Sequence, residues 1–467
     1  MSRASKCATG RLKLTLATVA MAVASTLLLA SGSVSAETPR AASEPGVTGN
    51  SITIGATVPL TGPAAPGYSE IAPAMNAVFS WVNAHGGVNG RKINYVYLDD
   101  QYNAAKTAPL TRQLVLQDHI FADVGSLGTP TQTAVQAFLN TEKVPQLFIE
   151  SGCNCWSQSA YPYSLGWQPP YTVEGKILGH YVTQHLAGKK IGLLYQDDEF
   201  GQDVVKGLDM EVPSSEIVSS QTYDAATLSG PLSNQMAALR AAGAQVVVMA
   251  TIPAATALAM LPAAAIGYTP QYVIDSVGAD SPTVGPLLEA FTAKGGGSAA
   301  EAQAATGLLN GVITDAYIPP EGDTSNPWIQ STKKLLQTYA PGLWAKAGLD
   351  GNTEYGVALA YTFVQALQSA GKNLTRQGLM QALENDAHHF VTPGLVPLSY
   401  SSSVHFGYEG AQVVQLSSSA APVVTPTGSW PGVTALTPVY TTSPEKGPVK
   451  VYSGGQQSPP KALQSTA

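Results

Sequence analysis

The chain has 467 residues, 44% of them hydrophobic and only 12% charged. That composition supplies large buried cores and excludes a disordered chain. With 24 basic against 31 acidic residues the net charge is −7. A phosphate-backbone partner needs the opposite balance, so no nucleic acid partner is expected.

Length allows two or three domains. Arg3, Lys6, Arg11 and Lys13 form a basic start, Leu14 to Ala30 carries no charge, and Val34-Ser35-Ala36 supplies small residues before a cut. This is the pattern of a signal peptide over residues 1–36. Its removal takes away four basic and no acidic residues and leaves a net charge of −11. The cleavage region has no cysteine, so a secreted, extracytoplasmic protein without a lipid anchor is expected. No other run approaches the roughly 18 uncharged apolar residues that a membrane span needs. Cys153 and Cys155 are the only cysteines beyond the leader. A Cys-x-Cys pair can close a small disulfide in an oxidising compartment. Two ligands one residue apart make no zinc site, so a loop staple is expected and no metal.

In chain order, residues 37–49 are small and polar and read as a flexible leader. Ser51 to Val58 alternates as a strand and ends in Pro59-Leu60-Thr61-Gly62-Pro63, a loop by composition. Tyr68 sits in that loop as a ligand contact or a packed aromatic. Met75, Val78, Phe79 and Val82 mark a helix that Gly86-Gly87 stops. Ile93 to Leu98 is a strand closed by Asp99-Asp100, a strand-end cap or surface pair. A helix across Thr107 to Gln117 follows.

Residues Ile120 to Trp156 then read strand, loop, helix, strand, loop, the repeating unit of a parallel α/β sheet. Its two small-residue loops, Gly125 to Thr131 and Ser151 to Cys155, leave the carboxyl edge, where such sheets bind ligands. Tyr161 to Tyr171, rich in aromatics and proline, reads as a crossover. A second α/β series follows, with strands at Ile191 to Tyr195, Val246 to Ala250 and Tyr272 to Ile274. A further strand is expected at Gly311 to Tyr317, and helices at Trp328 to Tyr339, Thr353 to Ser369 and Thr375 to Glu384. Residues 391 to 416 read as β-structure with turns. His388-His389 reads as a solvated pair. The Ser/Thr/Pro-rich tail, 422–467, is expected to be mobile or laid over the surface.

The order of features resembles the periplasmic branched-chain amino acid-binding proteins, the leucine/isoleucine/valine-type solute receptors of ABC importers. The matching residues include Leu60-Thr61-Gly62, the run Val82 to Ile93 with its Asn-x-x-Gly-Gly-x-x-Gly pattern, and Asp99-Asp100. Thr131-Gln132, Val144 to Phe148 and Asp197 to Gly201 complete the set. The likeness spans roughly residues 50 to 415. It implies an α/β protein of the type I periplasmic-binding-protein fold: two Rossmann-like lobes with parallel central sheets, joined by three crossovers, closing on ligand by hinge motion. The lobes would be residues 50–166 with 316–392, and 167–315 with 393–421.

The resemblance also implies site residues. Gly128 and Thr129 would hold a ligand carboxylate, with backbone N–H groups at a helix start favouring an anion. Ser151, Gly152 and Cys153 would add contacts from the next loop. From the second lobe, Phe200 would cover the ligand. Thr251 stands where the family has a tyrosine, and Ser276, beside Asp275, where it has an acidic anchor. The function implied is capture of a small polar metabolite, an amino acid, amide or related compound, by a monomer that delivers it to a membrane permease. No cofactor is expected. The sequence has no Gly-x-Ser-x-Gly elbow, His-Glu-x-x-His, Walker loop or Gly-x-Gly-x-x-Gly, which favours a non-enzymatic receptor over an exported hydrolase. A ligand sensor or surface interaction module of the same fold is the alternative.

Overall fold

In the computed structural model, residues 44–464 are described; the expected signal peptide and residues 37–43 of the leader lie outside them. Ser51–Val58 (β1) pairs with Lys92–Asp99 (β2) in parallel. Asp123–Val124 (β3), Gln146–Ile149 (β4) and Ser164–Gly166 (β5) complete the first sheet in the order β2-β1-β3-β4-β5. All its pairings are parallel. The order reverses between β1 and β3, and ligands in open α/β sheets bind outside the strand carboxyl ends at such a point.

The second sheet repeats that arrangement. Ile191–Gln196 (β6), Ile217–Tyr223 (β7), Val246–Ala250 (β8), Gln271–Ile274 (β9) and Ile313–Ala316 (β10) run in the order β7-β6-β8-β9-β10. These five are parallel. The second reversal lies between β6 and β8. Central strands β4 and β8 are buried at every position, as expected of strands covered on both faces.

The chain passes from the first sheet to the second after β5 and leaves the second after β10. It then forms the helices Pro327–Tyr339 and Gly351–Ala370. Gly356 of the latter packs so closely on the helix Ile71–Ala84 that an added Cβ would lie 2.5 Å from the Ile71 carbonyl oxygen. A third passage returns the chain to the second sheet as Gly410–Ser417 (β11), antiparallel to β10. These three passages are the two-lobed, three-crossover arrangement of the type I periplasmic-binding-protein fold.

The second sheet is not wholly parallel. Beyond β11 come a separate hairpin, Val423–Thr425 (β12) with Gly428–Trp430 (β13), and then Gly432–Thr441 (β14) and Lys450–Val451 (β15). β14 pairs antiparallel with β11, and β15 with β14. The segment from residue 422 is thus largely built into the structure rather than loose. Its Thr, Val and Tyr residues suit a strand, and β11 would otherwise present a bare edge. Lys176 donates to the carbonyl oxygens of Ser443 and Glu445, at 2.9 and 2.6 Å, fastening the tail further. Residues 44–49 of the expected flexible leader are also held. Thr53 donates its N–H to Gly46, and Glu44 accepts from the Arg376 backbone.

Candidate functional site

A cavity with about 1210 Å³ of open space, its mouth included, lies between the two sheets' carboxyl ends. The loop after β1 contributes Tyr68, that after β3 Leu127 and Gly128, and the end of β4 Glu150. From the second sheet come Phe200 after β6, Ile252 after β8, Ser276 after β9, and Asp315 on β10. The lining therefore gathers at both reversal points, where the topology opens a crevice.

Gly128 needs its hydrogen side chain. Its φ is +106°, and an added Cβ would sit 2.5 Å from the Tyr102 ring and 2.6 Å from Thr131 Oγ1. It precedes the helix Thr129–Thr141, with Pro130 in the first turn. A proline there gives up an N–H that the helix does not use.

Of the residues expected from sequence, Tyr68, Gly128, Phe200 and Ser276 line the cavity. The Tyr68 hydroxyl crosses to the second lobe and donates to the Val277 carbonyl at 3.1 Å. Phe200 is buried, its ring 4.5 Å from that of Tyr171. Asp198 caps its helix by accepting from the Phe200 N–H. Thr129, Ser151, Gly152, Cys153 and Thr251 stand behind the lining. The Thr129 and Ser151 hydroxyls bond each other at 2.7 Å, and Ser151 also accepts from the Cys153 N–H. The Thr251 hydroxyl is spent on Thr256 at 2.7 Å. At Gly152 an added Cβ would meet the Pro169 carbonyl oxygen at 2.3 Å. Thr129, Ser151 and Thr251 are buried, with their hydroxyls bonded within the protein. Cys153 and Cys155 are joined by a disulfide, in a loop packed around Ile149 and Trp156.

Asp99 accepts from the N–H groups of Leu60 and Thr61 and from the Thr61 hydroxyl, tying the loop after β1 to β2. These bonds hold its carboxyl below the usual range against the opposing pull of desolvation. Asp100, by contrast, is buried, bonded to Thr107 and the Tyr102 N–H, and pushed by burial up to about 6. His388 and His389 are exposed.

The cavity's acidic residues went unforeseen. Glu150, Asp280, Asp315 and Glu321 all line it, and no Lys, Arg or His is among the lining residues. Glu150 is 6% exposed, and neither of its carboxylate oxygens has a hydrogen-bond partner. Burial drives its carboxyl well above the ordinary range. It follows a β-bulge in β4, where the register shifts between Leu147 and Ile149 and Phe148 takes φ +54°. Bulges re-aim the side chains beside them and recur at functional sites.

In the second lobe Asp315 clusters with Glu174 and Asp275, their oxygens within 4.8 Å of one another. Ser276 bridges two of them: its hydroxyl donates to Glu174 at 2.7 Å and its N–H to Asp315 at 3.2 Å. Burial raises the Asp315 carboxyl to about 7. It also raises Glu174, helped by the charges of Asp275 and Asp315, and Asp275, helped by that of Asp315 and opposed by its hydrogen bond with Glu174. Protonated, the three can share hydrogen bonds; ionised, they are an uncompensated buried charge. Asp280 and Glu321 close the rim, raised by burial and by neighbouring carboxylates to about 7 and about 8.

The sequence signal for these residues was present. Glu150 and Asp275 each close an apolar buried strand, and Asp315 interrupts one. An acid in that position has no reason to be there on packing grounds alone.

Polar bonds between the lobes hold the cleft shut. Gln196 Nε2 donates to the Tyr102 hydroxyl at 3.3 Å, the Asn154 N–H to Asp203 at 2.8 Å, and Asn352 Nδ2 to Thr283 Oγ1 at 2.9 Å. Two lobes of doubly wound sheet with a cavity between their strand ends are the architecture of the type I periplasmic-binding-protein class.

A family model described as "Periplasmic binding protein" matches residues 51–421, and the chain belongs to that family. It is similar in structure to a fatty acid ABC transporter substrate-binding protein from Thermomonospora curvata, with a TM-score of 0.71 and 21% identity over 86% of this chain and 95% of that one. It is also similar to a branched-chain amino acid ABC transporter protein from Thermus thermophilus with bound valine, with a TM-score of 0.68 and 18% identity over 85% and 98% of the two chains. A possible leucine/isoleucine/valine-binding protein from Rhodopirellula baltica SH 1 gives a TM-score of 0.68 and 18% identity, covering 83% and 96%. No curated protein matches. At these identities the structural likeness speaks for the fold.

Proposed function

We propose that this protein is the extracytoplasmic solute receptor of an ABC importer, closing two lobes on a small polar metabolite and presenting it to a membrane permease. The observation that carries this reading is the cavity at the paired reversal points, bridged by Tyr68 and Val277. Family membership and the ABC substrate-binding structures it resembles support the importer role. Among the described residues no helix is long and apolar enough to cross a membrane.

Tyr68, Gly128, Phe200 and Ser276 would touch the solute, with the Thr129–Ser151 pair bracing the first-lobe loops from behind. Closure removes water, which strengthens every polar contact inside. The interlobe bonds named above are neutral or singly charged, so ligand can tip the balance between open and shut forms. The test is a thermal-shift screen of amino acids, amides, amines and small acids, followed by small-angle scattering with any hit. A melting shift with a smaller radius of gyration is expected; no shift and no contraction with any solute would end the receptor reading.

A further inference from the structure

We propose that the interlobe cavity takes an organic cation, a small amine or quaternary ammonium compound, held between Glu150 of the first lobe and Asp315 of the second against a lining of tyrosine rings. The proposal rests on the receptor reading and names the ligand class of that same cavity.

Charge is the first ground. Four carboxyl groups line the cavity and no basic side chain does. The ion pairs among the described residues involve Glu70, Glu211 and Glu384, none of which lines it. A carboxylate ligand entering here would meet acids with no cation to offset them.

Unmet hydrogen-bonding capacity is the second ground. Glu150 is buried with both oxygens free, and it lies in the first lobe, where the resemblance places anion-holding groups. Asp315 is 4% exposed, and its Oδ2, like Glu174 Oε2 and Asp275 Oδ2, takes no hydrogen bond from outside the three-carboxyl cluster. A buried carboxyl without a donor is costly, and a cationic N–H donor or an onium charge relieves that cost.

The third ground is aromatic. Tyr68, Tyr102, Tyr171, Tyr317 and Tyr355, with Phe200, line the same space. Trp167 braces the last two tyrosines, its ring 4.9 Å from Tyr355 edge-on and 6.4 Å from Tyr317. Aromatic faces beside carboxylates attract organic cations. A bare metal ion is the rival occupant for Glu174, Asp275 and Asp315. Such an ion takes six to eight oxygen ligands or water and has no use for rings or for a cavity of this size.

The experiment is titration calorimetry with thermal shift on the secreted protein. The probes are choline, 1,4-diaminobutane and spermidine, against leucine, propionamide, acetate and calcium chloride. At least one cationic probe should bind, and leucine, propionamide and acetate should not. Glu150→Gln and Asp315→Asn, both isosteric, should each weaken that binding by about tenfold or more. Tyr171→Leu, which removes a ring and no charge, should weaken it by about threefold. Leucine, propionamide or acetate binding without any cationic probe overturns the inference and leaves the receptor reading intact. Calcium binding alone overturns it in favour of a metal site. Amine binding that survives both carboxyl substitutions, in variants that melt cooperatively, overturns the assigned contacts. Binding of nothing at all overturns the inference, while the receptor reading stands or falls by the wider solute screen and its scattering readout.

Discussion

Glu150 and Ser151 are neighbours at the end of β4, yet they meet opposite fates. Ser151 is fully buried, shares a hydrogen bond with the Thr129 hydroxyl and accepts from the Cys153 N–H. Glu150 lines the cavity with both oxygens unpaired. The same contrast holds in the second lobe, where Thr251 is satisfied by Thr256 while Asp315 Oδ2 takes no hydrogen bond from outside its carboxyl cluster. Tyr68 and Ser276 line the cavity too, but their hydroxyls are bonded to Val277 and Glu174, so Glu150 is the lining side chain that stands without a partner at both oxygens. The comparison teaches that two polar neighbours at one strand end can divide between the wall and the lining of the cavity.

That contrast can be broken from its supports inward. The largest effect is expected at Trp167, which is fully buried at the passage between sheets. Its indole N–H donates to Thr362 Oγ1 at 3.1 Å, and its ring meets Tyr408 at 5.2 Å. Trp167→Ala should cost about 3–5 kcal/mol of stability, read by urea unfolding, because it empties a packed site and frees two cavity tyrosines. A loss under 1 kcal/mol would show that the two lobes do not depend on this anchor.

Glu150→Met should raise the melting temperature of the ligand-free protein, with a gain of about 1–3 kcal/mol from removing an unsatisfied buried carboxyl. A fall would mean that Glu150 is part of the wall after all. For Thr129→Ala the expectation is smaller, a loss of about 1 kcal/mol from the broken Ser151 bond, with little change in ligand affinity. If Thr129→Ala weakened binding as much as Glu150→Gln, the division into wall and site would collapse.

Acidity gives an independent reading of the same groups. Asp315 and Asp280 are raised to about 7, and Glu321 to about 8. Unfolded, such carboxyls titrate near 4. Between those values the native state binds more protons than the unfolded state, so native stability falls as pH rises through the window from about 4 to about 8. The melting temperature of the ligand-free protein should therefore be lower at pH 8 than at pH 5.5. A rise over that range would mean that the acids are compensated by partners. The smallest expectation concerns Cys153 and Cys155: intact mass of unreduced, alkylator-treated protein should show no added label. Two labels would mean that the loop holds its shape without the bond.

Much of the molecule was legible in its sequence. Apolar periodicity located most strands and helices, because burial on one face or two leaves a regular mark. The helix expected over Thr353 to Ser369 is found at Gly351–Ala370, and the strand at Val246 to Ala250 keeps its limits. The tail was expected to be mobile or laid over the surface, because Ser, Thr and Pro mark loops on average; the open edge of β11 is what makes residues 432–441 a strand.

The site divides in the same way. The sequence by itself pointed to the strand-end loops as the place of a cleft, since α/β alternation marks those loops, and of the residues that the resemblance and the loop after β1 suggested, Tyr68, Gly128, Phe200 and Ser276 line the cavity. Tertiary structure alone decided what the cleft offers. Whether a hydroxyl or carboxyl is spent or free depends on partners far away in the chain. Asp315 and Glu174, 141 positions apart, become neighbours only when β10 and the helix Tyr171–His185 pack together. Burial then fixes their charge, and no stretch of sequence read alone carries that information.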